Sequence, residues 1–280
     1  AALLETGMAQ ARAGLAVQAD YVPLKVAYIR FARILGETLQ DRGGPAEGPL
    51  GEARRMADSA LASAPAGPEA LRASAEVWGA LARWKQSRGQ SNLHELQSGA
   101  RDLEHCLAAH GKDLMLLRRL GWLRSLEWDQ DLSRGVDARP SLRQACSALR
   151  EVLELQPADS FSLANLGLAL GVLAEQEWAF GGQGNPALEE GLRVLEQAAR
   201  VPLPQPSVPG NRAFLQRLRA RFEQESGRDP GPALGAARAA AAEAMAARPT
   251  HPAPFMEAAG VELEAARLAL AGGGIPDIQP

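Results

Sequence analysis

A single period organises this chain. Glycine recurs every 46 residues without insertion or deletion, at Gly43, Gly89, Gly135, Gly181, Gly227 and Gly273. Leucine stands seven residues after each of the first five glycines, and alanine or glycine stands ten residues after each. Apolar residues at offsets 7, 10, 14 and 18 from the glycine lie on one face of an α-helix. The sequence therefore predicts an array of helical repeats, in which residues at the same offset form a column.

Each repeat predicts two helices. The first ends near offset 22, where proline stands in three repeats, at Pro65, Pro157 and Pro249. The second carries a column of small residues that lets a neighbouring helix approach closely: Ala75, Gly121, Gly167, Ala213 and Ala259. It runs to the next periodic glycine, which suits a left-handed C-terminal cap. We predict first helices of about 16 residues and second helices of about 18 to 20 residues.

One repeat cannot bury its apolar face alone, so neighbouring repeats must stack. We predict an all-α, right-handed superhelical solenoid of six helix pairs, which forms a single domain over residues 1–280. The repeats span residues 1–42, 43–88, 89–134, 135–180, 181–226 and 227–272. Residues 201–209 are rich in proline, but the 46-residue register passes through them. They are therefore predicted to be a stiff turn between helices of one core.

Composition favours a helical protein and argues against two classes of partner. Aromatic residues make up only 5% of the chain, and few β-branched residues are present to build a sheet. The net charge of -3, from 33 acidic and 30 basic residues, supplies no field that would attract nucleic acid or an anionic membrane.

Two cysteines are too few for a disulfide framework, so we expect a cytoplasmic protein. Ala1 at the start and a seventh period at Gly273 favour a piece cut from a longer chain.

The residues that usually carry catalysis lie in unfavourable places. Each of the four histidines, His94, His105, His110 and His251, stands in a polar column or at a helix end. Cys106 stands in a column of small apolar residues, so we expect a buried structural thiol. No Cys-x-x-Cys pair or His-Glu-x-x-His helix offers zinc spacing. The sequence therefore predicts neither an enzyme nor a metal or cofactor site.

Three positions in the repeat carry a resemblance to a known family. Ala53, Ala60 and Pro65 are spaced by seven and five residues, as are Ala237, Ala244 and Pro249. This spacing resembles the tetratricopeptide repeat, although the period here is 12 residues longer than the 34 of that motif. The resemblance implies stacked helix pairs in which the second helix of each repeat defined here lines a concave, ligand-binding surface.

The linkers between repeats carry a second resemblance. The segments Gly227 to Pro230 and Gly184 to Pro186 make the array similar to the helical regions that follow the kinase domain in multidomain bacterial serine/threonine kinases. The resemblance covers the whole chain and implies a signalling scaffold that recruits substrates or partners for a catalytic domain elsewhere.

The tetratricopeptide resemblance also implies which residues bind a partner. The expected groove contains an apolar strip of Trp122, Leu168 and Phe214, two asparagines, Asn165 and Asn211, and four arginines, Arg118, Arg119, Arg217 and Arg221. The amides would hydrogen-bond the backbone of an extended peptide, and the guanidinium groups would suit carboxylate or phosphate. The alternative is that Asn165 satisfies a backbone group in the adjacent turn and that Asn211 only starts a helix.

Two functions remain open from the sequence. The first is a scaffold that binds a peptide segment or a partner protein in its groove. The second is a structural spacer, or a module that forms homo-oligomers through the ends of the solenoid, since such ends need polar caps to stay apart. An enzyme has no group of residues to support it.

Overall fold

The computed structural model describes residues 2–271 and places them in twelve α-helices. The helices are α1 (Ala2–Val17), α2 (Val22–Asp41), α3 (Glu47–Ser63), α4 (Pro68–Ser87), α5 (Leu93–His110), α6 (Leu114–Ser133), α7 (Arg139–Leu155), α8 (Ser160–Ala179), α9 (Asn185–Arg200), α10 (Val208–Glu225), α11 (Gly231–Ala247) and α12 (Pro252–Ala271). No strand occurs within this range. First helices have 16 to 18 residues and second helices 18 to 20, which confirms six helix pairs of the predicted lengths.

The chain divides into two compact units. The first unit covers residues 1–136 and contains α1 to α6, and the second covers residues 137–280 and contains α7 to α12. Within each unit, the two helices of a repeat pack against each other and against the helices of the next repeat. A single domain over residues 1–280 and a right-handed superhelix stay predictions. In the range that the structure describes, no helix is long and apolar enough to cross a membrane.

The periodic glycines end the second helices as predicted. Gly43, Gly89, Gly135, Gly181 and Gly227 have φ values of 67 to 75°, which is the left-handed region. After α2, the Gly44 amide donates to the Leu39 carbonyl at 2.7 Å and the Gly43 amide donates to the Gln40 carbonyl at 2.9 Å. The same two hydrogen bonds close α4, α6, α8 and α10. These are five copies of one Schellman cap, and the requirement for positive φ explains why glycine recurs. Gly273 lies outside the described residues.

The predicted ends of the first helices are also confirmed. Helices α3, α7 and α11 stop two residues before Pro65, Pro157 and Pro249. The turn at residues 201–209 joins α9 to α10, and Ala198 before it shares a buried cluster with Val208 after it. The core therefore continues across this proline-rich turn.

Small residues permit the close contacts between successive repeats. A methyl group on Gly36 of α2 would lie 2.6 Å from Cγ of Leu50 on α3, which is closer than real carbon contacts allow. Gly167 of α8 meets Leu195 of α9 in the same way. The predicted small-residue column is buried at its first four members, whereas Ala259 on α12 is exposed.

Candidate functional site

The structure places the reactive side chains as the sequence indicated. Cys106 is fully buried, with its sulfur 3.9 Å from the Pro68 carbonyl oxygen, and burial raises the pKa of its thiol. Burial also raises the pKa of Cys146, to about 12. All four histidines are exposed. Among residues 2–271, no group of His, Cys, Asp and Glu side chains is arranged to hold a metal ion.

Replacing Cys106 with alanine is expected to lower the free energy of unfolding by only about 1 kcal/mol. The change removes one buried sulfur atom, and three repeats already hold alanine in this column, at Ala60, Ala198 and Ala244. Urea unfolding measures the difference. His105→Ala, an exposed position on the same helix, is the control and is expected to change stability by less than about 0.5 kcal/mol. A loss above about 3 kcal/mol at Cys106 would contradict a purely space-filling role.

In the first unit, Trp122 and Arg119 lie together on α6. The half-buried Trp122 ring packs on Gly79 of α4, where a methyl group would approach the ring to 2.9 Å. The guanidinium carbons of Arg119 and Arg83 lie 5.2 and 5.4 Å from the ring centre. The ring is therefore in contact with two cations. Arg118 is half-buried, with Nη1 3.9 Å from the Met115 sulfur.

Beside this ring lies a polar cavity of about 320 Å³, lined by Arg33, Glu37, Gln40, Asp41, Arg83 and Arg119. Arg33 forms ion pairs with Glu37 at 2.6 Å and with Glu76 at 3.3 Å. Glu37 also pairs with Arg83. Within the described range, the half-buried Arg119 has no carboxylate at ion-pair distance, and burial lowers its pKa despite the nearby charge of Glu76. Among the described residues, Arg119 is therefore a cation of this cavity without a carboxylate at ion-pair distance.

In the second unit, Phe214 of α10 repeats the arrangement seen at Trp122. Its ring packs on Gly171 of α8, where a methyl group would lie 3.0 Å from the ring. The Arg217 guanidinium carbon lies 5.4 Å from the ring centre. Unlike Arg119, Arg217 has its own carboxylate, Glu257 at 3.2 Å. Leu168 is half-buried on α8.

Arg221 is also neutralised within the chain. Its guanidinium donates to Glu264 on α12 at 3.1 and 2.6 Å and to Glu175 on α8 at 3.3 Å. It also lies over the Trp178 ring at 5.7 Å. The two arginines predicted to frame the groove in the second unit, Arg217 and Arg221, are therefore both paired with carboxylates of that unit.

The two asparagines use their amide nitrogens inside the second unit. Asn165 donates to the Phe161 carbonyl one turn earlier at 2.8 Å. This agrees with the alternative that Asn165 satisfies a backbone group in the adjacent turn. Asn211 donates across to the Ala164 carbonyl of α8 at 3.1 Å, so it links two repeats and does more than start a helix. Both side chains are half-buried, and neither amide oxygen accepts a hydrogen bond from another described residue. The amide oxygens and the second hydrogen of each amide nitrogen remain available to a ligand.

Sequence reasoning missed Arg33, Arg83 and Glu37. A signal for them exists, because Glu37 and Arg83 are 46 residues apart and share a column. Opposite charges in one column of adjacent repeats face each other when the repeats stack. A comparable signal marks Glu264, which stands alone in an otherwise apolar column of Ile34, Ala80, Leu126, Val172 and Leu218.

Comparisons with known proteins identify the fold. No protein-family model matches the sequence, and no curated protein matches it. The chain is similar in structure to YrrB, a tetratricopeptide-repeat protein with an unusual peptide-binding site, at a TM-score of 0.53 and 14% identity, over 88% of this chain and 96% of that one. It is also similar to Nro1, a nuclear import adaptor, at a TM-score of 0.58 and 12% identity, over 99% and 96% of the two chains. The chain therefore has the fold of a tetratricopeptide-like helical repeat array.

Proposed function

We propose that this chain is a cytoplasmic protein-interaction scaffold, part of a larger signalling protein, that binds an extended peptide segment of a partner. In the first unit, the binding surface consists of Arg119, Trp122 and the adjoining cavity, and it selects an acidic side chain. Arg119 carries the proposal, because it is a half-buried guanidinium with no carboxylate partner in the described part of the chain.

An acidic side chain of the partner would pair with Arg119 on this surface. Removing a cation from water is costly unless an anion compensates it, so a ligand carboxylate gains more at Arg119 than at a solvated arginine. The guanidinium can bind both carboxylate oxygens at once. Trp122 supplies apolar contact, and full burial of such a side chain is worth roughly 1.5–3 kcal/mol. Arg33 and Arg83 are already paired with carboxylates of the chain, so Arg119 is the cation of this surface that a ligand carboxylate would neutralise.

The second unit supports the same function with different chemistry. Phe214 offers apolar contact beside an arginine that Glu257 neutralises, so this surface has no strong charge preference. Leu168 adds apolar area, and the amide oxygens of Asn165 and Asn211 can accept hydrogen bonds from the backbone of an extended peptide. The peptide-binding site of YrrB and the adaptor role of Nro1 belong to those proteins, and they are consistent with the class of function proposed here.

A pair of synthetic peptides tests the charge selection. They carry the same sequence except that glutamate in one is glutamine in the other, and binding is followed by calorimetry. We expect the glutamate peptide to bind about tenfold more tightly, a difference of about 1.4 kcal/mol. The preference should weaken as salt rises, because the ligand contact is only partly shielded from solvent.

Two arginine variants assign the preference to its residue. Arg119→Gln is expected to remove the difference between the peptides. Arg217→Gln is the matched control, since Arg217 stacks on an aromatic ring at nearly the same distance but has its own carboxylate. Equal binding of the two peptides to the unaltered chain, or an unchanged preference in Arg119→Gln, would refute the proposal.

A further inference from the structure

The polar cavity in the first unit contains an anion as well as a cation. Its lining carries both signs of charge, and Glu37 pairs there with both Arg33 and Arg83. In the part of the chain that the structure describes, the Asp41 carboxylate forms no ion pair and no hydrogen bond. The cavity therefore presents two opposite charges that are not paired within residues 2–271, namely Asp41 on α2 and Arg119 on α6.

The position of Asp41 is unfavourable for the helix that carries it. Asp41 is the last residue of α2, and the last turn of this helix contains no basic residue. The C-terminus of a helix has a partial negative charge, so a carboxylate at this end is repelled. Glu37 stands one turn earlier on the same face of α2 and adds a like charge. A cation bound next to Asp41 would relieve this repulsion.

Asp41 lies on the side of α2 that faces the following repeats. The other walls of the cavity come from Arg83 on α4 and Arg119 on α6. Gln40 also lines the cavity, and its side-chain amide makes no hydrogen bond with another described residue, so it can both donate and accept. The volume of about 320 Å³ lies near the lower end of the roughly 300–1,000 Å³ of ligand pockets. The two charges thus border one space that can hold side chains of a bound peptide.

We infer that the peptide segment bound at this surface carries a basic side chain close to its acidic one. The acidic side chain pairs with Arg119 and the basic side chain pairs with Asp41, so the inference rests on the function proposed above and adds a second determinant of specificity. Residues i and i+2 of an extended peptide project to the same side, so the basic residue stands two positions from the acidic one. A purely acidic segment is disfavoured, because it would place further negative charge near Asp41.

Three short peptides of serine, alanine and one leucine, blocked at both ends, test the inference with purified chain. Each contains one glutamate. The first has lysine two positions before the glutamate, the second has lysine two positions after it, and the third has glutamine at both positions. Calorimetry at low salt is expected to show one lysine peptide binding about fivefold more tightly than the glutamine peptide, the upper end for an exposed ion pair. The gain should fall as salt rises, because Asp41 is exposed.

Asp41→Asn should remove the lysine gain and keep the preference for glutamate that Arg119 provides. Glu47→Gln, which removes an exposed carboxylate of the same unit outside the cavity, is the matched control and should keep the gain. Equal binding of the three peptides to the unaltered chain, or a gain that survives in Asp41→Asn, would overturn the inference.

The two proposals fail in different ways. A preference for glutamate over glutamine without a lysine gain refutes the basic partner of Asp41 and leaves the function proposed at Arg119 intact. Absence of that glutamate preference refutes the proposed function, and the inference with it.

Discussion

Replacing Arg221 with alanine is expected to lower the free energy of unfolding of the second unit by about 3–5 kcal/mol. The side chain of Glu264 is only 5% exposed, and Arg221 holds both of its oxygens. Without Arg221, the ion-pair partner that Glu264 keeps among the described residues is the exposed Arg267, at 3.6 Å, and Arg217 acts on it from farther away. An uncompensated buried charge is far more costly than the loss of one hydrogen bond. Hydrogen exchange of the α10 and α12 amides measures the change in this unit directly.

The control is an ion pair with the same geometry in a solvated position. Arg238 holds Glu262 through two hydrogen bonds of 2.8 and 2.7 Å, but the two side chains are 50% and 60% exposed. Arg238→Ala is therefore expected to cost less than about 1 kcal/mol. Similar losses in the two variants would show that the burial of Glu264 does not govern the effect.

Acid should change the difference between the unaltered chain and Arg221→Ala in a defined direction. Burial tends to raise the pKa of Glu264, but the hydrogen bonds and charge of Arg221 outweigh it and hold this pKa below its ordinary value of 4.5. A carboxylate with a lowered pKa stabilises the fold above pH 4.5 and loses that contribution as pH falls through its folded-state pKa. The stability deficit of Arg221→Ala should therefore shrink in acid. Urea unfolding at a series of pH values measures it, and a deficit that stays constant would contradict this assignment.

Replacing Gly167 with alanine is expected to destabilise the second unit by about 1–3 kcal/mol, although alanine is the better helix former. The added methyl group would overlap the Leu195 side chain, so α8 and α9 would have to move apart. The same substitution at Gly235 meets no atom within 4 Å. Gly235→Ala should therefore stabilise α11 by about 0.5–1 kcal/mol. Urea unfolding compares the two, and equal signs would show that close approach does not decide the residue in this column.

The predicted partner-binding residues differ in the groups that they contact, because some of those groups come from distant parts of the chain. Trp122 and Arg119 lie together because they are three positions apart on one helix, which places them on the same face. Arg217 and Arg221 meet carboxylates 40 and 43 residues away, and nothing in their own helix indicates that pairing. Asn211 reaches a carbonyl 47 residues earlier, which a local reading of a helix start could not anticipate. Which charged or amide groups of different repeats come into contact depends both on how the repeats stack and on the lengths of the two side chains.

The sequence by itself determined the helices, their ends and the buried columns. The period repeats the same local chemistry, and a glycine with positive φ or a proline after a helix acts within a few residues of its own position. Only the tertiary structure decided which of the predicted arginines are paired with carboxylates of the chain. The sequence around Arg119, Arg217 and Arg221 does not distinguish them. Stacking of the repeats places Glu257 beside Arg217 and Glu264 beside Arg221. Among the described residues, no carboxylate lies within ion-pair distance of Arg119. Ionic interactions depend on distances of a few ångströms and on exclusion of water, and both are set by how the repeats pack.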